Sequence, residues 1–132
     1  MKRLALVASA AAATTILLAS PALAVTPSVT MDPAGVLSTD GRQVTVSGTY
    51  RCDPVPGGVE KLFLNVTQPA RGSKAQAAGF AVTCTGLPET YAATLTVVSP
   101  TPLAPGPAIG QATIAGSSGS ANNTPGQAMV LV

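Results

Sequence analysis

The chain is 132 residues long, carries a formal net charge of +2 and has charged side chains at only 9% of its positions. It contains no His, no Trp and two Cys. That length suits one ordinary domain, and the missing His excludes any His-based general base or His-ligated metal, while two Cys are too few for a Cys-rich zinc site.

The first element is a leader. Lys2 and Arg3 precede an apolar stretch from Leu4 to about Ala19, which runs into Ser20-Pro21-Ala22-Leu23-Ala24. The stretch is shorter than the roughly 20 residues of a spanning helix, and small residues at Ala22 and Ala24 suit signal peptidase. The pattern predicts a signal peptide over 1–24; the alternative is an uncleaved N-terminal anchor. No Cys stands at the expected cut, so a lipid anchor is not expected. No second apolar segment follows, so cleavage would release residues 25–132 as one domain with no membrane attachment. The mean hydropathy of +0.41 owes much to this leader. Beyond it, Arg42, Arg51, Lys61, Arg71 and Lys74 balance Asp32, Asp40, Asp53, Glu60 and Glu89. With no net charge left, capture of nucleic acid or anionic lipid is not expected.

Strand signals then recur every ten to fifteen residues between Gly, Pro, Ser and Asn, the spacing of a sandwich or barrel. Pro27 to Met31 is the first, followed by turns at Asp32-Pro33-Ala34-Gly35 and Thr39-Asp40-Gly41. From Val44 to Cys52, the residues Val44, Val46, Gly48, Tyr50 and Cys52 alternate with Thr45, Ser47, Thr49 and Arg51. Successive strand residues point to opposite faces, so this strand is half-buried with Cys52 inward. Leu62, Leu64 and Val66 form the next inward row, which turns Phe63 outward as a contact patch or as a ring capped by a loop. Pro69 to Gly79 reads as an exposed loop, with Lys74 to Ala78 helix-like but too short to stand alone. Phe80, Val82 and Cys84 resume the alternation, followed by Tyr91, Ala93, Leu95 and Val97. Pro100, Pro102, Pro105 and Pro107 make Ser99 to Pro107 a stiff crossover, because proline cannot donate to a ladder. Ala108 to Ala115 is a strand with Ala112 and Ile114 inward; Gly116 to Gly126 reads as a flexible loop, and Ala128 to Val132 as a last strand. About seven antiparallel strands in two stacked sheets with Greek-key connections result: an all-β, immunoglobulin-like β-sandwich.

Two cysteines in one register of an exported chain are expected to pair, so Cys52 and Cys84 form a disulfide. The alternative, two free thiols for redox work, lacks a C-x-x-C spacing or a neighbouring base. Catalytic chemistry finds little footing. A Ser-Lys dyad through Lys61 or Lys74 sits in no motif, and Asp32, Asp40 and Asp53 adjoin Pro or Gly as turn residues do. Asp53 and Glu60 flank one loop and read as surface charges rather than a glycosidase pair. The glycines form no phosphate cradle, and the acids are too few for a calcium loop. Tyr50, Phe80 and Tyr91 read as core rather than stacking platforms. Asn65-Val66-Thr67 and Asn122-Asn123-Thr124 match the glycosylation triplet, which matters only where the producing cell has that machinery.

The segment Val-Thr-Val-Ser-Gly-Thr-Tyr-Arg-Cys at 44–52 resembles a family of small secreted actinobacterial β-sandwich proteins known as a domain of unknown function. The resemblance continues through Leu64-Asn65-Val66-Thr67-Gln68, Cys84-Thr85-Gly86, Pro105-Gly106-Pro107-Ala108 and Val130-Leu131-Val132. It implies a shared β-sandwich and a Cys52–Cys84 bridge, with a Trp often standing where Tyr91 does, and no assigned activity. Pro27-Ser28-Val29-Thr30-Met31-Asp32-Pro33 is similar to the opening strand of the apoproteins that carry enediyne chromophores. Those proteins normally have two disulfides, whereas this chain can form one.

The expected function is that of a secreted, non-enzymatic immunoglobulin-like domain, a structural module or one that recognises an extracellular partner or small ligand. No catalytic residue, cofactor or metal is expected. The alternatives are a carrier of a small apolar molecule between the sheets and, third, a protease inhibitor presenting Ser99 to Pro107.

Overall fold

The computed structural model describes residues 26–117, 119–123 and 126–132; the expected leader lies outside them. The described residues form nine strands: β1 (Ser28–Val29), β2 (Ala34–Leu37), β3 (Gln43–Arg51), β4 (Glu60–Gln68), β5 (Ser73–Val82), β6 (Glu89–Val97), β7 (Gly106–Gly116), β8 (Gly119–Asn122) and β9 (Gln127–Leu131). The only helical piece among them is a 3-10 turn at Pro69–Arg71, closed by Gly72 in the left-handed region with φ 65°. The chain is all-β.

Alternation decides which side chains fill the interior. Along β3, Val44, Val46, Tyr50 and the following Cys52 are buried, while Thr45, Thr49 and Arg51 are exposed. Leu62, Leu64 and Val66 of β4, Leu95 of β6, Ile114 of β7 and Leu131 of β9 complete a core in which each of these is at most 2% exposed. Each such side chain contributes about 1.5–3 kcal/mol by leaving water. Phe80, expected in the core, is half-buried at its margin.

The ladders run in the order β3–β2–β9–β7–β4–β5–β6 and return from β6 to β3, so seven strands close on themselves. β1 lies on β3 and β8 on β7, outside the ring. The closure is uneven. β3 and β6 pair from Gln43↔Thr96 to Tyr50↔Glu89, and β4 and β7 from Glu60↔Gly116 to Thr67↔Ile109. β5 meets β6 only at Ala75↔Val97 and Gln76↔Thr96, and β2 meets β9 only at Ala34↔Val130 and Gly35↔Leu131. The β2–β9 pairing is parallel.

These findings correct several expectations. The sheet is a ring with one parallel pairing, not a purely antiparallel set of about seven strands. Ala34 and Gly35 are not a turn but the start of β2. The chain shifts along one edge of β3, pairing first at Tyr50–Arg51 through β1 and then at Val44–Thr45 through β2. The segment 69–79 is not a loop, and Lys74 to Ala78 is strand. β5 pairs with β4 from Gln68↔Ser73 to Glu60↔Val82, with a β-bulge that places one extra residue, within Ala78–Gly79, opposite Phe63. An extra residue reverses the phase of a strand, so Ser73 and Ala75 face inward before it and Phe80 and Val82 after it. β8 occupies part of the stretch 116–126 expected to be a loop.

Candidate functional site

The bridge joins Cys52, just past β3, to Cys84, just past β5, with an S–S distance of 2.01 Å. Cys52 is 1% exposed. The Gly86 amide donates to the Cys52 carbonyl and Arg51 Nε to the Gly86 carbonyl, at 2.9 and 2.7 Å. Tyr50 Oη donates to the Thr83 carbonyl at 3.0 Å, and Tyr91 Oη to the Thr30 carbonyl at 2.6 Å. Burial raises the pKa of both phenols; Glu89 adds to the effect at Tyr50 and Asp32 at Tyr91. Gly48 makes room for the second bond, because a Cβ there would run into the Thr30 carbonyl and the Tyr91 hydroxyl.

Beside the disulfide lies a groove of about 430 Å³ between the Asp53–Gly58 loop and the end of β5, lined by Val55, Val82, Cys84, Asp53 and Glu60 among others. Glu60 is 4% exposed, so it is not the surface charge expected from its place in a loop-flanking pair. Asp32 accepts from Ser47 Oγ at 2.8 Å and Glu89 from Thr85 Oγ at 2.8 Å. Asp40 behaves as the turn residue expected of it. It accepts from Ser38 Oγ at 2.7 Å and from the Arg42 amide at 3.0 Å, and those hydrogen bonds hold its carboxyl below the ordinary value. Among the described residues no three His, Cys, Asp or Glu side chains gather in a metal-ligating group.

The proline crossover packs onto the opposite end of the barrel. Gln68 Nε2 donates to the Ala104 and Pro107 carbonyls, and its Oε1 accepts from the Ala104 amide at 2.9 Å. Arg42 donates to the Ser99 and Pro100 carbonyls, and Ser73 Oγ to that of Pro102. Leu103 is buried. An inhibitory loop must offer its backbone to a protease, and here much of that backbone is engaged by the protein itself.

The outer surface differs between the two well-paired parts of the ring. On β3 and β6 it carries Thr45, Thr49, Arg51, Thr90, Thr94 and Thr96. On the β2–β9–β7–β4 side it carries Val36, Val130 and Ile109, at 60%, 53% and 38% exposure. Ala34, Ala128 and Pro107 sit among them in register. Strands β2, β7, β8 and β9 contain no charged residue. Further along this face Phe63 is 44% exposed, and its ring lies across Gly79, where a Cβ would run into it. The ring is thus supported by the bulge on β5 rather than capped by a loop. Asn65 and Gln111 face each other on the next row, beside a small pocket of about 170 Å³. Of the two glycosylation triplets, Asn65 and Thr67 are half-buried on β4, Asn122 ends β8, and Thr124 is outside the described residues.

Phe63 and both cysteines are legible in strand alternation, whereas the apolar face is not. The available signal was charge. From Thr90 to Val132 there is not one charged residue, and β7, β8 and β9, three of the strands bordering that face, are drawn from this run.

Among the described residues no helix is long and apolar enough to cross a membrane. No curated protein matches the chain. The family of unknown function DUF6299 matches residues 25–125, a span that includes every strand from β1 to β8. The chain belongs to that family.

Proposed function

We propose that this protein is an exported, non-enzymatic recognition module of immunoglobulin-like build, and that it binds an extracellular partner through the outer face of β2, β9 and β7. The observation that carries the reading is the exposed diagonal of Val36, Val130 and Ile109 on strands with no charged residue. Contiguous uncharged apolar surface on a small protein marks an interaction site, and charged side chains are depleted at the centre of protein interfaces. The thin contacts of β5 with β6 and of β2 with β9 favour two layers joined at their margins, hence a sandwich within the ring. Export is supported by the leader and by the disulfide, which suits an oxidising compartment.

The test is native mass spectrometry of protein purified from the producing culture medium, with Val130→Lys as the comparison. A stoichiometric protein partner that is lost in the variant, with the melting temperature unchanged, is the expected result. A partner retained by Val130→Lys would sink the reading, as would catalytic turnover abolished by a single Asp or Glu substitution. The carrier alternative gains one specific observation, the groove beside Cys84. The space between the layers is filled by the core, so a carried molecule would sit in that groove. A copurifying small molecule displaced by Val82→Lys would mark this second reading.

A further inference from the structure

Beyond the apolar strip, the same outer face changes character. One row across the ladders is Gln111–Asn65–Gln76, and the next is Asn122–Thr113–Phe63, with the β5 bulge opposite Phe63. These six side chains place five neutral hydrogen-bonding groups around one half-exposed aromatic ring. The ring is held in position because it lies across Gly79, where no side chain competes for the space.

The pocket of about 170 Å³ beside this array is lined by Asn65, Gln111, Thr113 and Asn122, with Asn123 at its wall. Asn123 is locked in place. Its Oδ1 accepts from the Ala112 amide at 2.8 Å, and its Nδ2 donates to the Gly110 carbonyl at 3.3 Å. That side chain continues the β7 ladder between the end of β8 and the start of β9, so the pocket has a fixed wall rather than a mobile one.

The chemistry of the array selects a ligand class. It contains no carboxylate to attract a cation and no basic group to hold an anion. Lys61 and Lys74 lie outside it, opposite Ala115 and Thr67 in register. A purely apolar ligand would strip water from the Asn65, Gln76 and Gln111 carboxamides and return nothing. A peptide added as a strand needs an open ladder edge, whereas β4 and β7 are paired on both sides here. Each carboxamide offers an acceptor oxygen and two N–H donors, and each hydroxyl can both donate and accept. Adjacent hydroxyls on a ring match such groups two at a time, and the C–H face of that ring suits an aromatic surface.

We propose that the outer face of β4, β5 and β7 around Phe63 binds a neutral carbohydrate, with the sugar ring against Phe63 and its hydroxyls on Asn65, Gln76 and Gln111. The assignment rests on this side of the ring being the recognition face, and it names the partner's chemistry at the Phe63 end.

The experiment is a titration of the isotope-labelled protein, followed by NMR, with cellohexaose, maltohexaose and chitohexaose as neutral probes and oligogalacturonate and chitosan oligomers as charged controls. At least one neutral probe should shift the amides of Phe63, Asn65, Gln76 and Gln111, while the charged controls do not. Phe63→Ala should weaken that binding by about tenfold or more, as loss of a stacking ring does, with Phe63→Tyr restoring it. Gln111→Ala keeps the proposal testable if Phe63→Ala fails to fold, and it should also weaken binding. The proposal is overturned if no neutral probe binds, if the charged controls bind equally well, or if Phe63→Ala and Gln111→Ala bind as the parent does. Val130→Lys separates the two readings. Loss of the protein partner in that variant, with no neutral sugar bound by the parent, would leave the recognition face standing and remove the carbohydrate.

Discussion

At one end of the barrel Cys52 and Cys84 tie the end of β3 to the end of β5 by a covalent bond, whereas at the other Gln68, Arg42 and Ser73 hold the proline crossover by hydrogen bonds alone. The two ends are finished differently as a result. The disulfide end tolerates an open groove and a Pro- and Gly-rich loop beside it, because a bond that constrains the unfolded chain does not depend on a packed neighbourhood. The crossover end has no such bond, and although a groove of about 330 Å³ opens beside Leu103 there too, Leu103 itself is buried and the carbonyls of Ser99, Pro100, Pro102 and Ala104 accept from the Arg42, Ser73 and Gln68 side chains. A cross-link acts on the unfolded ensemble, while the Gln68 network acts only in the folded state, so the two should fail in different ways.

The largest effect should come from the covalent end. The bridge spans a sequence separation of 32 residues, and the loop-entropy relation assigns such a ring about 3–4 kcal/mol. Cys52→Ala combined with Cys84→Ala should therefore lower the melting temperature by on the order of 15 °C. Calorimetry in the presence and absence of reductant checks it. A variant that melts with the parent would mean the hydrogen bonds around Thr83 and Gly86 already hold that end.

Gln68→Leu sharpens the contrast, because the side chain keeps nearly its size while its bonds to Ala104 and Pro107 disappear. Leaving the part-buried Ala104 amide and two carbonyls without this partner costs about 1–2 kcal/mol. The damage should be local, so amide exchange at Leu103 and Ala104 should accelerate in the variant before exchange in β3 does. Equal acceleration at both ends would show that the crossover and the disulfide belong to one cooperative unit.

How far this design could be read beforehand depended on whether each strand announced itself by period. β3 did, since its inward Val44, Val46, Tyr50 and Cys52 alternate with polar residues without a break. The inward setting of Cys52 follows from that register, and the outward setting of Phe63 follows from the equally regular Leu62, Leu64 and Val66 of β4. β5 did not, because the bulge at Ala78–Gly79 shifts its phase midway and its buried residues before the bulge, Ser73 and Ala75, are small. β2 was hidden for a related reason. Its one fully buried position is Gly35, which has no side chain to register as apolar and is packed against Leu131, Met129 and Val44. Ring closure was illegible because it depends on a few long-range pairings, such as Ala75↔Val97, that no local pattern encodes. The apolar outer face is invisible to alternation, which marks only inward residues; the absence of charge among the outward ones is what shows it.

The smallest effect, and the one that separates the ends most cleanly, comes from pH. Tyr50 and Tyr91 both fasten the disulfide half, and burial raises the pKa of each above its ordinary value. A phenol whose folded pKa is raised stays protonated in the native state after the unfolded chain has begun to lose that proton. The unfolded state then binds fewer protons than the native one, and stability falls as pH rises above about 10. Below that pH the contribution of the two tyrosines is complete. Tyr91→Phe removes the donor to the Thr30 carbonyl, so at neutral pH it should cost about 1 kcal/mol. It also removes one titrating group, so its stability should decline less steeply than the parent's in alkaline solution, and the two denaturation curves should converge there. Gln68 and Ser73, which hold the crossover, carry no group that ionises in that range. Amides of Leu103 and Ala104 should consequently keep their protection while those next to Cys84 lose theirs. Parallel loss of protection at both ends, or a Tyr91→Phe variant as steeply alkali-sensitive as the parent, would show that the tyrosines do not govern the alkaline limit of this fold.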